Sequence, residues 1–454
     1  MSVKKLVFSF VVLFIIDAFG PPRLTAQQQM SKSVRESAHS MLQMIASDIK
    51  RHYYDPNLHD LDWDAIVTQT KHRIDESSSF DEAIGHIAAA VDTLNDSHTV
   101  LLPPQTVVNA SHGYVHDWRA LVPVSNLRHD YGWGYEIIGE RCFITRVRPG
   151  SDAEKKGLHV GDEILSINGY HPERATIQKA EYVLNVLRPQ TELKLEAMDP
   201  TGVKRRFTVA AKVEQVPMMS QFEQGARSIR AYEDMEHLFR PRVAEFGGEL
   251  EVIKVPNFLL SLDAVQGLIA KARKHKALII DLRGNHGGSE ETLQFLLGGI
   301  LDHEVKIGEE ATRSGRKPLI AKSAHNTFDG KVIVLIDSTS MSAAELFSRV
   351  LQVEKRGVVM GDRSAGMVMG AKTYHYQVFG AAVYYGVSIA EADMVMSDGK
   401  SLERIGVTPD EIMIPTASDL AQGLDPVLAH AAETLGVKLS PEAAGKLFPY
   451  EWSQ

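Results

Sequence analysis

A serine at the start of a predicted helix is the residue of this sequence best placed for covalent chemistry. Ser342 follows the apolar run V-I-V-L-I (332–336) and opens the stretch S-A-A-E-L-F. A serine at a strand-to-helix turn is exposed, and its own N–H can help to stabilise an oxyanion. Ser342 and Glu345 also have the S-x-x-E spacing of a capping box, which is a purely structural alternative. Ser340 or Thr339 could cap the helix instead and leave the Ser342 hydroxyl free.

Two glycines occupy the equivalent position one strand earlier. Asn285, Gly287 and Gly288 in R-G-N-H-G-G-S follow the apolar run A-L-I-I-D-L (277–282) and precede another predicted helix. Open α/β sheets bind ligands beyond the C-terminal ends of their strands, where helix-start N–H groups point outward. We therefore predict that Gly287 and Gly288 contribute to an oxyanion hole beside Ser342.

The elements around these motifs alternate between strand and helix. From residue 250 onward, helical patterns over 262–274, 289–301 and 342–354 are separated by short apolar strands. This alternation predicts a largely parallel sheet covered by helices. Apolar residues at helical spacing also predict an N-terminal helical domain, with helices at 31–52, 63–72 and 80–94, over residues 27–105.

The first residues have the features of an export signal. Lys4 and Lys5 precede the apolar run 6–16, which is too short to span a bilayer and is typical of a signal-peptide core. We predict a signal peptide over 1–26 that is cleaved after Ala26, and an uncleaved anchor is the alternative. The mature protein would then be periplasmic or extracellular, without a membrane segment.

Charge and cysteine content exclude several functions. The formal charge is −9, and loss of three basic residues and one acidic residue with the signal peptide would make it −11. Such an acidic chain is a poor candidate for binding nucleic acid. The single cysteine, Cys142, cannot form an internal disulfide, and we expect it to pack inside a strand. No recognisable metal-ligand spacing is formed by His86, His112, His286 and His375, and no cofactor is implied.

A middle region resembles a PDZ domain. The resemblance lies in Y-G-W-G-Y-E-I (131–137) and in G-L-H-V-G-D-E-I-L-S-I-N-G-Y (157–170), and we place the domain at 127–214. It implies that Gly132, Trp133 and Gly134 hold the carboxylate of an extended peptide, since glycines let a backbone approach an anion closely. A regulatory or packing module is the alternative.

Four motifs in order resemble the C-terminal processing, or tail-specific, serine proteases and their tricorn-core and chlamydial relatives. They are I-I-D-L-R-G-N-H-G-G, S-T-S-M-S-A-A-E-L-F, G-D-R-S-A-G-M-V-M-G and L-E-R-I-G-V-T-P-D. The resemblance implies a mixed-sheet α/β core of ClpP/crotonase type over 228–416, followed by a C-terminal helical segment over 417–454. It matches Ser342 to the family nucleophile, and Gly287 and Gly288 to the oxyanion region.

The general base departs from the tail-specific pattern. Met367 stands where that branch has its lysine, and a thioether cannot accept a proton, so a Ser-Lys dyad would need Lys372. The tricorn and chlamydial branch uses a histidine and a glutamate, and the matching residues are His98 in L-N-D-S-H-T and Glu403. Neutral His98 would accept the Ser342 proton, and Glu403 would orient the ring.

These residues together predict an exported serine endopeptidase that acts on protein or peptide substrates through an acyl-enzyme. Its PDZ domain would bind extended or C-terminal segments. Two alternatives come from other functional classes. One is an apolar-ligand-binding protein similar to the interphotoreceptor retinoid-binding protein, and the other is an inactive PDZ scaffold, which Met367 favours. The sequence leaves the oligomeric state open.

Overall fold

A computed structural model describes residues 30–106, 127–215, 240–377 and 383–452. The predicted signal peptide and its cleavage site lie outside these ranges. The chain begins with the predicted helices, which are α1 (Lys32–His52), α2 (Trp63–Glu76) and α3 (Phe80–Asp92). Each begins after a residue whose side chain accepts a first-turn N–H, namely Ser31, Asp62 and Ser79. None of the helices within the described ranges is long and apolar enough to cross a bilayer.

Strand β1 (Val100–Thr106) leaves the helices and leads into a small domain of short strands. Its elements are β2 (Leu127–Asp130), β3 (Trp133–Ile138), β4 (Arg141–Val147), α4 (Asp152–Lys155), β5 (Glu163–Ile167), α5 (Ile177–Tyr182), β6 (Glu192–Met198), β7 (Lys204–Ala210) and β8 (Lys212–Gln215). Strands β3 to β7 form one antiparallel sheet in chain order, and β2 pairs with β8. Cys142 is buried in the core of this domain, as predicted.

The remaining residues form the large core and the C-terminal helices. The elements are β9 (Arg242–Phe246), β10 (Leu250–Lys254), α6 (Leu262–Ala272), β11 (Ala277–Asp281), α7 (Glu290–Ile300), β12 (Val305–Thr312), β13 (Gly315–Ala321), β14 (Lys331–Ile336), α8 (Ala343–Val353), β15 (Val358–Gly361), β16 (Met369–Gln377), β17 (Val383–Met396), β18 (Glu411–Ile412), α9 (Ala417–Gln422), α10 (Pro426–Thr434) and α11 (Pro441–Gly445).

Six core strands form the predicted parallel sheet in the order β18-β15-β14-β11-β10-β9, with only β9 antiparallel. Alternate residues of the central strands point to opposite faces. Leu278 and Ile280 pack in the cluster that contains residues of α6, α7 and α8. Ala277 and Ile279 pack with Leu428 of α10 on the other face. The sheet is therefore covered on both sides, which explains its near-continuous apolar strands.

A second core sheet joins the N-terminal helices to the core. Its strands follow the order β1-β17-β12-β13, and β16 also pairs with β17. The pairing of β1 with β17 places Val100 opposite Ser388. The loop that precedes β1 contains His98, so this pairing holds that loop against the core. No local sequence pattern indicates this sheet, because its strands are distant in the chain.

Candidate active site

Ser342 stands at a strained turn immediately before α8. Its backbone has φ 53° and ψ −118°, a region that residues with a side chain rarely adopt. Its N–H donates to the carbonyl oxygen of Met367 and to Glu345 Oε2, both at 3.0 Å. The amide of Glu345 in turn donates to the Ser342 carbonyl oxygen at 2.8 Å. Ser342 and Glu345 therefore form the capping box that their spacing indicated, and the Glu345 amide also has a backbone acceptor.

The residues expected as alternative caps have another role. The Ser340 hydroxyl donates to the carbonyl oxygen of Leu282 at 2.8 Å and accepts the N–H of Asp337 at 3.0 Å. The Thr339 hydroxyl donates to Asp337 Oδ1 at 2.8 Å. The prediction that either residue could cap α8 is wrong, because both side chains are used to fold the loop that precedes Ser342.

The glycine turn lies directly against the candidate nucleophile. Gly287 has φ +87°, and a Cβ built on it would stand 2.7 Å from the Cβ of Ser342. Its N–H donates to Asn285 Oδ1 at 2.8 Å, and Asn285 Nδ2 donates to the carbonyl oxygen of Val255 at 2.8 Å. The Gly287 amide is thus already occupied. The need for glycine at this position is steric, because any side chain would displace Ser342.

Two other amides are better placed to donate to a ligand. Within the described ranges, the N–H groups of Gly288 and Ala343 have no hydrogen-bond acceptor. The two turns are joined, since the Met341 N–H donates to the carbonyl oxygen of Asn285 at 2.9 Å. The expectation that Ser342 uses its own N–H for an oxyanion does not fit the structure, because that N–H is engaged. The sequence pointed to the glycine pair but not to the Ala343 amide.

His98 and Glu403 are connected through the side chain of Ser97. The Ser97 hydroxyl lies 2.6 Å from His98 Nδ1 and 2.8 Å from Glu403 Oε2. The Ser97 N–H also donates to Glu403 Oε1 at 2.7 Å. The carboxylate that was expected to orient the imidazole therefore reaches it through a hydroxyl. Ser97 precedes His98 in sequence, but nothing in the local pattern indicates this bridging position.

The loop that carries His98 is held by a side-chain turn. Asp96 Oδ1 accepts the N–H groups of His98 at 2.8 Å and of Thr99 at 2.6 Å. The Thr99 hydroxyl accepts the N–H of Ala390 on β17 at 3.0 Å. These bonds restrict the backbone of His98, so the direction of its imidazole is determined by the loop.

Residues 367 and 368 contact both the turn that carries Ser342 and the side chain of Glu403. The Met367 carbonyl accepts the Ser342 N–H, and the Val368 N–H donates to Glu403 Oε2 at 2.9 Å. The Met367 side chain is buried. Lys372 is exposed on β16, and its ammonium lies 5.4 Å from the centre of the Tyr374 ring. The segment that links Ser342 to Glu403 thus supplies backbone groups and no side-chain base.

Two buried glutamates lie next to these loops. Burial raises the pKa of Glu403 to about 7, although the donors Val368 and Ser97 and the nearby Arg404 favour its ionised form. Burial likewise raises the pKa of Glu345 to about 7 against several hydrogen-bond donors. Both carboxyl groups are therefore able to change protonation state near neutral pH.

The glycine loop of the small domain is partly occupied by its own side chains. The Gly132 N–H donates to Asp130 Oδ1 at 2.9 Å, and the Arg146 side chain covers Gly134. Trp133 begins β3, which lies at the edge of its sheet and pairs only with β4 among the described strands. The free edge of β3 is thus the place in this domain where an extended segment could be added. In the described part of the chain no three metal-ligating side chains form a metal site.

Comparison with known proteins agrees with this architecture. Residues 250–413 match the family model Peptidase family S41, and residues 124–198 match the PDZ domain model. Tricorn protease homolog 2 of Streptomyces coelicolor is 24% identical over 84% of this chain, and carboxy-terminal processing protease CtpB of Bacillus subtilis is 25% identical over 62%. The structure of mature CPAF superposes with a TM-score of 0.62 over 89% of this chain and 98% of CPAF, at 15% identity.

The family matches cover two parts of the chain. Residues 250–413 form a domain of Peptidase family S41, and residues 124–198 form a PDZ domain. The chain spans 31% of the length of the Streptomyces relative and 53% of that of CtpB. The CPAF likeness shows the shared fold, in which a mixed α/β core is combined with N-terminal helices.

Proposed function

We propose that this protein is an endopeptidase that cleaves peptide bonds through an acyl-enzyme on Ser342. The observation that carries the proposal is the connection of two half-sites by residues 367 and 368. One half holds Ser342 beside two amides without acceptors in the described ranges, and the other holds His98 on a hydrogen-bonded chain to Glu403. A nucleophile, a base with its orienting group and oxyanion donors are the parts that acyl transfer needs.

In this mechanism, the hydrogen bonds of Ser97 determine which imidazole nitrogen of His98 carries the proton. Ionised Glu403 only accepts hydrogen bonds, so the Ser97 hydroxyl donates its proton to Oε2. The Ser97 oxygen then accepts from His98 Nδ1–H, which leaves His98 Nε2 unprotonated. Nε2 takes the proton of the Ser342 hydroxyl as that oxygen attacks the carbonyl carbon, and later returns the proton to the leaving amine. The imidazolium formed in between is stabilised through Ser97 by the carboxylate.

The amides of Gly288 and Ala343 are the donors we assign to the tetrahedral intermediate. Its negative oxygen would accept both N–H groups, and these are held by backbone and need no reorganisation during the reaction. Gly287 has a steric role in this assignment, since its own N–H is bound by Asn285. The acyl-enzyme is then hydrolysed by water that His98 activates in the same way.

The substrates we infer are extended protein segments that the PDZ domain binds at the open edge of β3. Backbone pairing at that edge would recognise peptides with little dependence on side chains, and Trp133 and Gly134 at its start would lie near a terminal carboxylate. We also propose export, on the basis of the signal-like residues 1–26.

A fluorophosphonate probe tests the mechanism. We expect one probe adduct per molecule of purified mature protein by intact mass, and no adduct on the Ser342→Ala and His98→Ala variants. Lys372→Ala should label as the wild type does, because its ammonium lies over Tyr374. Absence of an adduct on folded wild type would favour the ligand-binding or scaffold alternatives. Loss of labelling in Lys372→Ala with normal labelling in His98→Ala would contradict the assignment of the base.

A further inference from the structure

A buried ion pair joins the PDZ domain to the end of an N-terminal helix. Lys179 of α5 pairs with Asp92, the last residue of α3, with Nζ 2.6 Å from Oδ1 and 2.8 Å from Oδ2. Only 9% of the Lys179 side chain and 17% of the Asp92 side chain are exposed. Removing two charges from water is costly, and an apolar contact of equal volume would often be as stable. An ion pair at this position therefore favours a role in geometry over a role in stability.

The same helix also holds the chain on the other side of His98. Tyr182 lies three residues after Lys179, so the two side chains share one face of α5. The Tyr182 hydroxyl donates to the carbonyl oxygen of Leu101 on β1 at 2.7 Å. Asp92 precedes His98 and Leu101 follows it. One helix of the PDZ domain thus anchors both ends of the general-base loop.

The loop between the anchors is stiff. Thr93 bonds back to the last turn of α3 through its N–H and its hydroxyl. The Asn95 N–H donates to the carbonyl oxygen of Asp92 at 3.0 Å, and Asn95 has φ +56°. Asp96 then holds the N–H of His98. Because each step is hydrogen-bonded, a displacement of Asp92 is transmitted to His98.

Packing next to the ion pair brings α3 and the PDZ domain into close contact. Ala89, on the same face of α3 as Asp92, is buried within the hydrophobic core of the PDZ domain. The Lys179–Asp92 pair lies one helical turn from this apolar contact, because Asp92 follows Ala89 by three residues.

We propose that Lys179 and Asp92 are positioning residues through which the PDZ domain sets the location of His98 relative to Ser342. This inference rests on the proposed peptidase mechanism and deepens it, because it makes the PDZ domain a part of the catalytic assembly. Burial raises the pKa of Asp92 and lowers that of Lys179, each opposed by the partner's charge, which agrees with a pair withdrawn from water.

Substitution at the pair should change turnover and leave peptide capture intact. We expect Lys179→Met and Asp92→Asn to lower kcat for a peptide substrate, and the rate of Ser342 labelling by a fluorophosphonate, by about tenfold or more. KM should change by less than about threefold. Lys179→Arg, which keeps the charge, should restore most of the rate, and the exchanged pair Asp92→Lys with Lys179→Asp should recover part of it. A purely structural role would not produce rescue together with an unchanged KM.

Arg206→Met is the matched control, since it breaks an ion pair of the same domain that is far more exposed. Arg206 lies 2.6 Å from Glu196, and their side chains are 86% and 45% exposed. We expect wild-type rates for this variant. Tyr182→Phe removes only the hydroxyl that reaches Leu101, and it should lower kcat several-fold even if Lys179→Met does not fold.

Three outcomes distinguish the positioning role from a role in peptide capture and from the peptidase mechanism itself. Wild-type kcat in folded Lys179→Met and Tyr182→Phe would overturn the positioning role while leaving the peptidase mechanism in place. A rise in KM alone would assign the pair to peptide capture and would also overturn the proposal. Wild-type protein that neither labels nor cleaves would contradict the proposed function itself, and the positioning role would fall with it.

Discussion

At the scale of single residues, the proposed mechanism depends on the direction in which the Ser97 hydroxyl points its proton. Ser97 has a single hydrogen to donate, and the ionised Glu403 carboxylate requires it. His98 is thereby kept in the form with Nδ1 protonated and Nε2 able to accept. If Glu403 is protonated, it can donate to Ser97, whose proton then points to His98 Nδ1 and leaves Nε2 protonated. In the proposed mechanism, the carboxyl group would therefore act on catalysis through the tautomer of the imidazole.

Removal of the Ser97 hydroxyl should disconnect His98 from Glu403. We expect Ser97→Ala to lower kcat/KM by about 10- to 100-fold, the usual cost of losing a group that orients a functional histidine. Ser97→Thr keeps the hydroxyl and should retain most of the activity. Steady-state kinetics on a quenched peptide measures both variants. Equal activity of Ser97→Ala and the wild type would mean that the bridge has no catalytic role.

The ionisation of Glu403 should govern the acid limb of the pH profile. Its pKa is raised to about 7 by burial, so the active, ionised form is lost as pH falls through about 7. We expect kcat/KM to rise between pH 6 and 8 and to level off above about 8. Glu403→Gln cannot ionise, and its activity should be low throughout this range. Full wild-type activity maintained down to pH 5 would contradict this account.

At the scale of elements, two strand-to-helix turns of the parallel sheet meet face to face. One precedes α7 and carries the glycine pair, and the other precedes α8 and carries Ser342. The N–H of Met341 in the second turn donates to Asn285 in the first. Adjacent parallel strands end at the same edge of the sheet, so the two turns are brought together by the pairing of β11 with β14.

A methyl group at Gly287 should displace the nucleophile. The built Cβ stands 2.7 Å from the Ser342 Cβ, so we expect Gly287→Ala to reduce kcat/KM by more than about 100-fold. Gly284→Ala is the matched control, because Gly284 has a similar φ of +74° but nothing within 4 Å of its built Cβ. The control carries only the cost of a side chain in the left-handed region, about 1–2 kcal/mol. Equal rates for the two variants would exclude a steric role for Gly287.

At the scale of the whole molecule, the PDZ domain is bound to the core at the loops that form the site. Arg174 donates to Asp362 Oδ2 at 2.5 Å, and the Gly139 N–H donates to the same oxygen at 2.8 Å. The Ser338 hydroxyl, in the loop before Ser342, donates to the carbonyl oxygen of Ile137 on β3. That carbonyl lies on the edge of β3 at which a peptide would pair.

A peptide that pairs along β3 should compete with Ser338. We expect Ser338→Ala to tighten the binding of a peptide with a free C-terminal carboxylate by about two- to fivefold, since a hydrogen bond of this kind has a net value of about 1 kcal/mol. Fluorescence anisotropy with the Ser342→Ala background measures binding without cleavage. Thr208→Ala, on the exposed side of β7, should bind as the parent does. Weaker binding in Ser338→Ala would show that the peptide uses another surface.

The sequence determined the features that depend on neighbouring residues. Helical spacing predicted α1 to α3 and α6 to α8, and short apolar runs predicted the parallel strands between them. The motif around Ser342 also predicted a serine at a strand-to-helix turn. These predictions succeed because periodicity and turn chemistry are local properties of the chain.

The tertiary structure alone decided how these parts are connected. Ser97 and Glu403 are 306 residues apart in sequence, and no local pattern indicates that their side chains share a hydrogen bond. The sheet formed by β1 and β17 brings them together by pairing distant strands. The same is true of the Lys179–Asp92 pair, since it depends on the approach of two separate helices. Hydrogen bonding between distant groups is a property of packing, so it is determined only when the whole chain has folded.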